Sequence, residues 1–249
     1  MGLMRAITQI TKVLAVWLCL GGVAKAEQAT IAVASNFITT AQALIGEFES
    51  RSAHHLTLVH GSTGHLFAQI SHGAPFDVFL AADAARPEML EQDGFAVVRK
   101  PYAIGQLVYA TLDAVPADLA QAKDAYARIA IANPETAPYG AAAKQVLIGL
   151  RGRDHWDANV VFGENVGQAF GFLISGNVAG AFVSRAQISA LPDGAGYVDV
   201  PRDLFDDIRQ DAVLTRRGQS NPAAVAFFEF LSGETAKAMI QNAGYVVPE

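Results

Sequence analysis

Three short apolar runs, Ile31–Ala34, Leu56–His60 and Asp77–Ala81, alternate with segments whose apolar residues recur at helical spacing. This alternation constrains the fold most. Strand–helix–strand units of this length close as parallel sheets covered by helices. The first helix is expected over Ala41–Ser50, with Leu44, Ile45 and Phe48 on one face. Leu66–Ser71 and Arg86–Gln92 follow, the latter stopped by Asp93-Gly94. Gln106–Thr111 reads as a strand crossing into a second unit. In that unit Ile129–Ala132 and Ala179–Ser184 are expected strands, and Ala141–Leu150 and Glu164–Ile174 expected helices. Asp211–Thr215 reads as the return crossing. Pro222–Leu231 and Thr235–Gln241 read as closing helices, the first opened by the N-cap and N1 pair Asn221-Pro222. At 249 residues the chain is long enough for two modest lobes with a sizeable core.

The ends of these strands carry the chemistry. TIAVASNF (Thr30–Phe37) and HGSTG (His60–Gly64) finish in small hydroxyl-bearing residues where a helix should begin. Such a corner offers hydroxyls and backbone N–H groups at the positive end of a helix dipole, which suits a compact anion. Ala137–Gly140 and Glu164–Gly167 repeat the arrangement in the second half, so four corners point to one site assembled from two halves. Each corner also has an ordinary reading. Ser35 or Asn36 suffices as a helix N-cap, Gly61-Ser62-Thr63-Gly64 as a glycine turn, and Pro138 as a turn former with Tyr139 packed beside it. No phosphate-loop consensus is present.

Residues 1–26 read as a cleaved secretory signal. Arg5 and Lys12 supply the cationic start, Val13–Leu20 the apolar run, and Ala24-Lys25-Ala26 the small-x-small cleavage pattern. The single cysteine, Cys19, lies within that run without the preceding small residue of a lipoprotein site, so no disulfide is expected in the secreted protein. Removing the three cations of this segment takes the formal net charge from −6 to −9. Nucleic acid is therefore excluded as a partner. His54, His55, His60, His65 and His72 cluster in sequence, but only His65 and His72 share a helix face, which is not zinc-site spacing. A hydrolase would use Ser62 with His60 or His65, yet GSTG is not a nucleophile elbow. Asp206-Asp207 reads as a solvated loop.

AVASNF, the GST turn before LFAQI, GAPFDVFLAAD, NPETAPYGAAAKQVL, and GENVGQAF followed by AGAFVS together resemble the periplasmic molybdate-binding proteins, the substrate-binding components of molybdate ABC importers. The resemblance runs through nearly the whole chain after residue 26. It implies an α/β, two-lobe class II periplasmic binding fold with a two-strand hinge. The lobes would be 27–106 plus 213–249, and 107–212. It further implies a monomeric protein, not an enzyme and without cofactor or structural metal, that binds molybdate or tungstate in the periplasm and hands it to a membrane ABC permease. The family holds its ion with neutral donors. Carried over, Ser35 and Ser62 fall at hydroxyl ligands, Asn36 at a contacting Asn of one branch, and Tyr139 and Val166 at backbone N–H ligands. Some members supply a Tyr where this chain has Ser184; that serine is too short to replace it, so Asn36 is expected to take its place and Ser184 is left off the site. The alternatives are another tetrahedral oxyanion such as sulfate, and the secreted serine hydrolase.

Overall fold

The computed structural model describes residues 27–113, 119–124 and 126–248. The expected signal segment, 1–26, lies outside the described residues. The described chain forms two five-stranded mixed sheets flanked by helices, the expected two-lobe α/β architecture.

In the first sheet, β1 (Gln28–Ala34) lies between β2 (His55–Gly61) and β3 (Val78–Leu80), parallel to both. The strand β10 (Ile208–Thr215) is antiparallel to β3 and to the edge strand β4 (Ala96–Gly105), completing the order β2-β1-β3-β10-β4. Alternation along β1 sends Ile31 and Val33 to one face and Ala32 to the other. Helix α1 (Ile38–Ser50) covers the first face, joined by α7 (Pro222–Phe230) and α8 (Glu234–Asn242) through Leu44, Phe48, Phe227 and Ile240. Helices α2 (Thr63–Ser71) and α3 (Ala85–Gln92) cover the second through Leu66, Ile70 and Leu90.

The second sheet repeats the plan. Strand β6 (Ile129–Ala132) lies between β7 (Val160–Gly163) and β8 (Gly180–Ser184), parallel to both. Antiparallel β5 (Leu107–Thr111) and the edge strand β9 (Gly196–Asp199) complete the order β7-β6-β8-β5-β9. After the short α4 (Ala120–Lys123), its main helices are α5 (Pro138–Arg151) and α6 (Val166–Ile174), which pack Val146, Leu147, Ala169 and Leu173 against Ile131 and Phe182.

The chain passes from one sheet to the other at Gln106, between β4 and β5. Expected elements recur with ends shifted by a few residues, but the long strand β4, and β7 and β9, carry no clear sequence signature. All three are sheet edges. Pro101 sits in β4, which an edge tolerates. Beside it Pro101 pairs with Asp211 and Ala103 with Gln210, so Tyr102 is the extra residue of a bulge. A bulge re-aims a side chain. Here it turns the Tyr102 hydroxyl to 3.0 Å from both Ala81 O and Gln210 Oε1.

Candidate functional site

In both sheets the order of the first three strands reverses at a central strand, β1 or β6. In the first sheet α1 and α2 leave that point on opposite faces, and the crevice beyond the carboxyl ends of the strands is where such sheets bind ligands. Three of the four corners singled out in the sequence follow β1, β2 and β6, and the fourth follows β7.

At the first corner, β1 ends and Ser35–Phe37 makes one turn of 3₁₀ helix before α1. Its N-cap, Ala34, has no side chain with which to cap, so the leading N–H groups of the turn are free of helical partners. The Ser35 hydroxyl makes no hydrogen bond to another described residue. At the second corner Ser62 is the N-cap of α2, and its Oγ accepts from His65 N at a long 3.4 Å. Its proton is left to donate elsewhere. Thr63 Oγ1 accepts from Ala82 N at 3.1 Å, which leaves its proton free in the same way.

At the third corner Ala137 is the N-cap of α5 and again offers no capping side chain. Pro138 at the first helical position has no N–H, so the leading unpaired donors belong to Tyr139 and Gly140. Gly140 must be glycine: a Cβ there would lie 2.2 Å from Ala132 O at the end of β6. At the fourth corner the Asn165 side chain caps Gln168 N at 3.1 Å and leaves the N–H groups of Val166 and Gly167 unpaired. Gly167 faces the first corner, where a Cβ on it would sit 3.7 Å from Ser35 Cβ.

These corners converge. Ser35, Asn36, Ser62, Tyr139 and Val166 all line one small cavity, together with Thr63 and Ala82. No lysine, arginine, histidine, aspartate or glutamate is among its lining residues. Thr63 was missed in the sequence although it is the neighbouring hydroxyl of the same turn. The two sheets meet around the cavity: Gly64 N donates to Thr136 O at 2.8 Å, and Arg86 Nη2 to Glu135 O at 2.8 Å.

Behind the cavity lies a buried hydroxyl and amide network. Gln210 Oε1 accepts from Asn36 Nδ2 at 3.0 Å, and Gln210 Nε2 donates to the Tyr139 hydroxyl at 3.4 Å. Asn36 Nδ2 also reaches the Tyr245 hydroxyl at 3.3 Å, and Tyr245 donates to Asn36 O at 2.7 Å. Both amide protons of Asn36 are thereby engaged away from the cavity, so the donor it has left is its backbone N–H. Ser184 does not line the cavity; its Oγ donates to the Tyr139 hydroxyl at 3.1 Å. Burial raises the pKa of the Tyr139 hydroxyl, against the opposing effect of its bonds with Ser184, Gln210 and Asn36. Burial, then neighbouring tyrosines, raise Tyr102 and Tyr245 too. The phenols are therefore neutral at physiological pH.

A larger groove adjoins the cavity and carries Arg86 and Arg209. Arg86 is ion-paired with Asp83, and Arg209 with Asp211 at 3.3 Å. Its cations are thus already matched by carboxylates. The hydrogen bond between Ser62 and His65 uses the backbone N–H of His65, and the rings of His60 and His65 belong to exposed residues, so no imidazole is poised as a base on Ser62. Among the described residues, no three His, Cys, Asp or Glu side chains are grouped to hold a metal ion.

The model of the bacterial extracellular solute-binding protein family matches residues 29–246. The molybdate-binding protein ModA of Azotobacter vinelandii is 40% identical over 230 residues, 89% of this chain and 91% of that protein. ModA of Rhodobacter capsulatus is 37% identical over 227 residues, covering 90% of each. The solved structure of the Azotobacter vinelandii periplasmic molybdate-binding protein superposes with a TM-score of 0.83 at 36% identity, over 89% of this chain and all of that one. With the family matched across both sheets and ModA relatives matched at these identities, the chain belongs to the bacterial extracellular solute-binding proteins, in the ModA group.

Proposed function

We propose that this protein binds molybdate, and tungstate equally, in the cavity between its lobes and delivers the ion to an ABC permease in the membrane. The observation that carries this reading is the neutrality of the cavity: hydroxyls and unpaired N–H groups converge from both sheets, and no charged side chain lines it. Ser35 and Ser62 act as hydroxyl donors; Asn36, Tyr139 and Val166 act through backbone N–H groups. The relatives named molybdate-binding protein support the choice of ion. The lobes are taken as 27–106 plus 213–249 and 107–212; the whole of β10, from Ile208, pairs within the first sheet. A monomer working in the periplasm after loss of residues 1–26 fits this role, and it calls for no cofactor.

A set of donors selects a fully deprotonated oxyanion. A phosphate hydroxyl would meet no acceptor in such a cavity, and a buried donor left unpaired costs about 1–3 kcal/mol. Sulfate has the charge and shape of molybdate but shorter bonds, so only a cavity of fixed size rejects it. Molybdate and tungstate are alike in size. Charge-assisted hydrogen bonds contribute about 1.5–3 kcal/mol each, so several of them reach the roughly −8 to −12 kcal/mol of micromolar to nanomolar binding without a formal positive charge. Calorimetric titration of the purified protein is expected to give tight one-to-one binding for molybdate and tungstate and weak or no binding for sulfate. Equal or tighter binding of sulfate contradicts the reading, as does turnover of an ester substrate abolished by Ser62→Ala.

A further inference from the structure

Gln210 is fully buried on β10, next to the register shift that makes the Tyr102 bulge. Its single amide touches groups from both halves of the molecule. Its oxygen accepts from Asn36, in the corner after β1, and lies 3.0 Å from the Tyr102 hydroxyl on β4. Its nitrogen donates to the hydroxyl of Tyr139, in the corner that opens α5 of the second sheet. The Tyr139 hydroxyl is held from its other side by Ser184 on β8. Strand β4 packs directly beneath this junction at Gly105, where a Cβ would lie 2.2 Å from the Tyr139 hydroxyl and 2.7 Å from Gln210 Nε2. The chain crosses between the sheets one residue later, at Gln106.

We propose that Gln210 is a positioning residue for oxyanion selectivity, bracing the Asn36 and Tyr139 corners at a fixed separation so that the cavity cannot contract onto a smaller ion. This rests on the molybdate reading above. Gln210 lines no part of the cavity and touches no ligand. It acts through the two residues that do line it, one from each sheet, and these belong to bodies that a hinge would otherwise leave free to shift. Its oxygen accepts from Asn36 and one of its two amide protons goes to Tyr139, so a single buried amide ties the two corners together and restricts their relative movement. Without it, the donors of the two corners can approach each other, and the difference in bond length between sulfate and molybdate no longer decides binding.

The test is a competition titration of molybdate in excess sulfate, run on wild type, Gln210→Met and Tyr139→Phe. Methionine keeps the volume of glutamine without its hydrogen bonds. Tyr139→Phe cuts the far end of the brace and keeps the backbone N–H. Sulfate is expected to compete about tenfold better against molybdate in each variant than in wild type, within the range of couplings in one hydrogen-bond network. The double variant should lose no more selectivity than either single one, because both break the same link. A structural role alone would lower the melting temperature and weaken both anions in proportion. An unchanged selectivity ratio in Tyr139→Phe, and in Gln210→Met where that variant folds, overturns the proposal. Wild type that fails to bind molybdate at all defeats the functional reading and, with it, this inference; wild type that binds while both variants keep its selectivity defeats the inference alone.

Discussion

The double variant Ser35→Ala/Ser62→Ala is expected to bind molybdate about 10²–10⁴-fold more weakly than wild type while keeping its fold. Two charge-assisted hydrogen bonds disappear, each worth about 1.5–3 kcal/mol, and about 1.4 kcal/mol is a factor of ten in affinity. The two side chains belong to neighbouring corners of the same sheet and line the same cavity. Their costs to the fold differ. The Ser35 hydroxyl has no hydrogen-bonded partner among the described residues, so it supports little structure. Ser62 caps α2, though at 3.4 Å, and losing a cap of ordinary geometry costs about 0.5–2 kcal/mol of stability. Thermal melting of the ligand-free variant measures that part separately, and calorimetry then reports the loss at the ion. Wild-type affinity in the double variant removes both hydroxyls from the site.

Gly64→Val is expected to weaken binding by about 30–2,000-fold. Gly64 stands where the turn after β2 meets the loop before α5. Its N–H donates to Thr136 O at 2.8 Å, and a Cβ on it would lie 3.0 Å from both the Cα and the carbonyl oxygen of Thr136. The obstacle is backbone, so it cannot swing aside as a flexible side chain would. It is met wherever the two loops lie as close as they do in this structure. Within its own helix Gly64 has no positive φ that valine would strain. Valine should therefore hold the loops apart at the mouth of the cavity and separate the donors of the first sheet from those of the second. The loss combines the inter-sheet hydrogen bond, about 0.5–1.5 kcal/mol, with at least one bond to the ion, about 1.5–3 kcal/mol. Affinity by calorimetry and melting of the ligand-free protein check it together. Full affinity would mean that the approach of Gly64 to Thr136 plays no part in holding the ion.

The corners of the cavity were legible in the sequence because their chemistry is local. A strand that runs into Ser-Asn-Phe or Gly-Ser-Thr-Gly announces both its end and its donors within a few residues. Tyr139 and Val166 were harder. They serve through backbone N–H groups, which any residue but proline has, and only the resemblance to a family singled them out. Strands buried between neighbours were also legible, as apolar runs. The edge strand β4 was not, because Arg99-Lys100-Pro101 interrupts its pattern. Arg99 Nη1 there reaches the buried carboxylate of Asp211 at 2.7 Å, a partner 112 positions away. The bracing network has no local signature at all. Asn36 and Gln210 are separated by 174 positions, and Asn36 and Tyr245 by 209. Asn36 itself shows the limit: the sequence placed it at the cavity, where it is found, but its side-chain amide is spent on Gln210 and Tyr245 rather than turned toward the ion.

On the proposed reading, an anion of two negative charges is held by neutral groups while paired arginines stand in the adjoining groove. A crystal of the protein grown with molybdate, with diffraction recorded at the molybdenum absorption edge, locates the metal directly. A single anomalous peak is expected in the small cavity, its oxygens within hydrogen-bond distance of Ser35 Oγ, Ser62 Oγ and the N–H groups of Tyr139 and Val166. A peak in the groove beside Arg86 and Arg209, with the cavity empty, would contradict it.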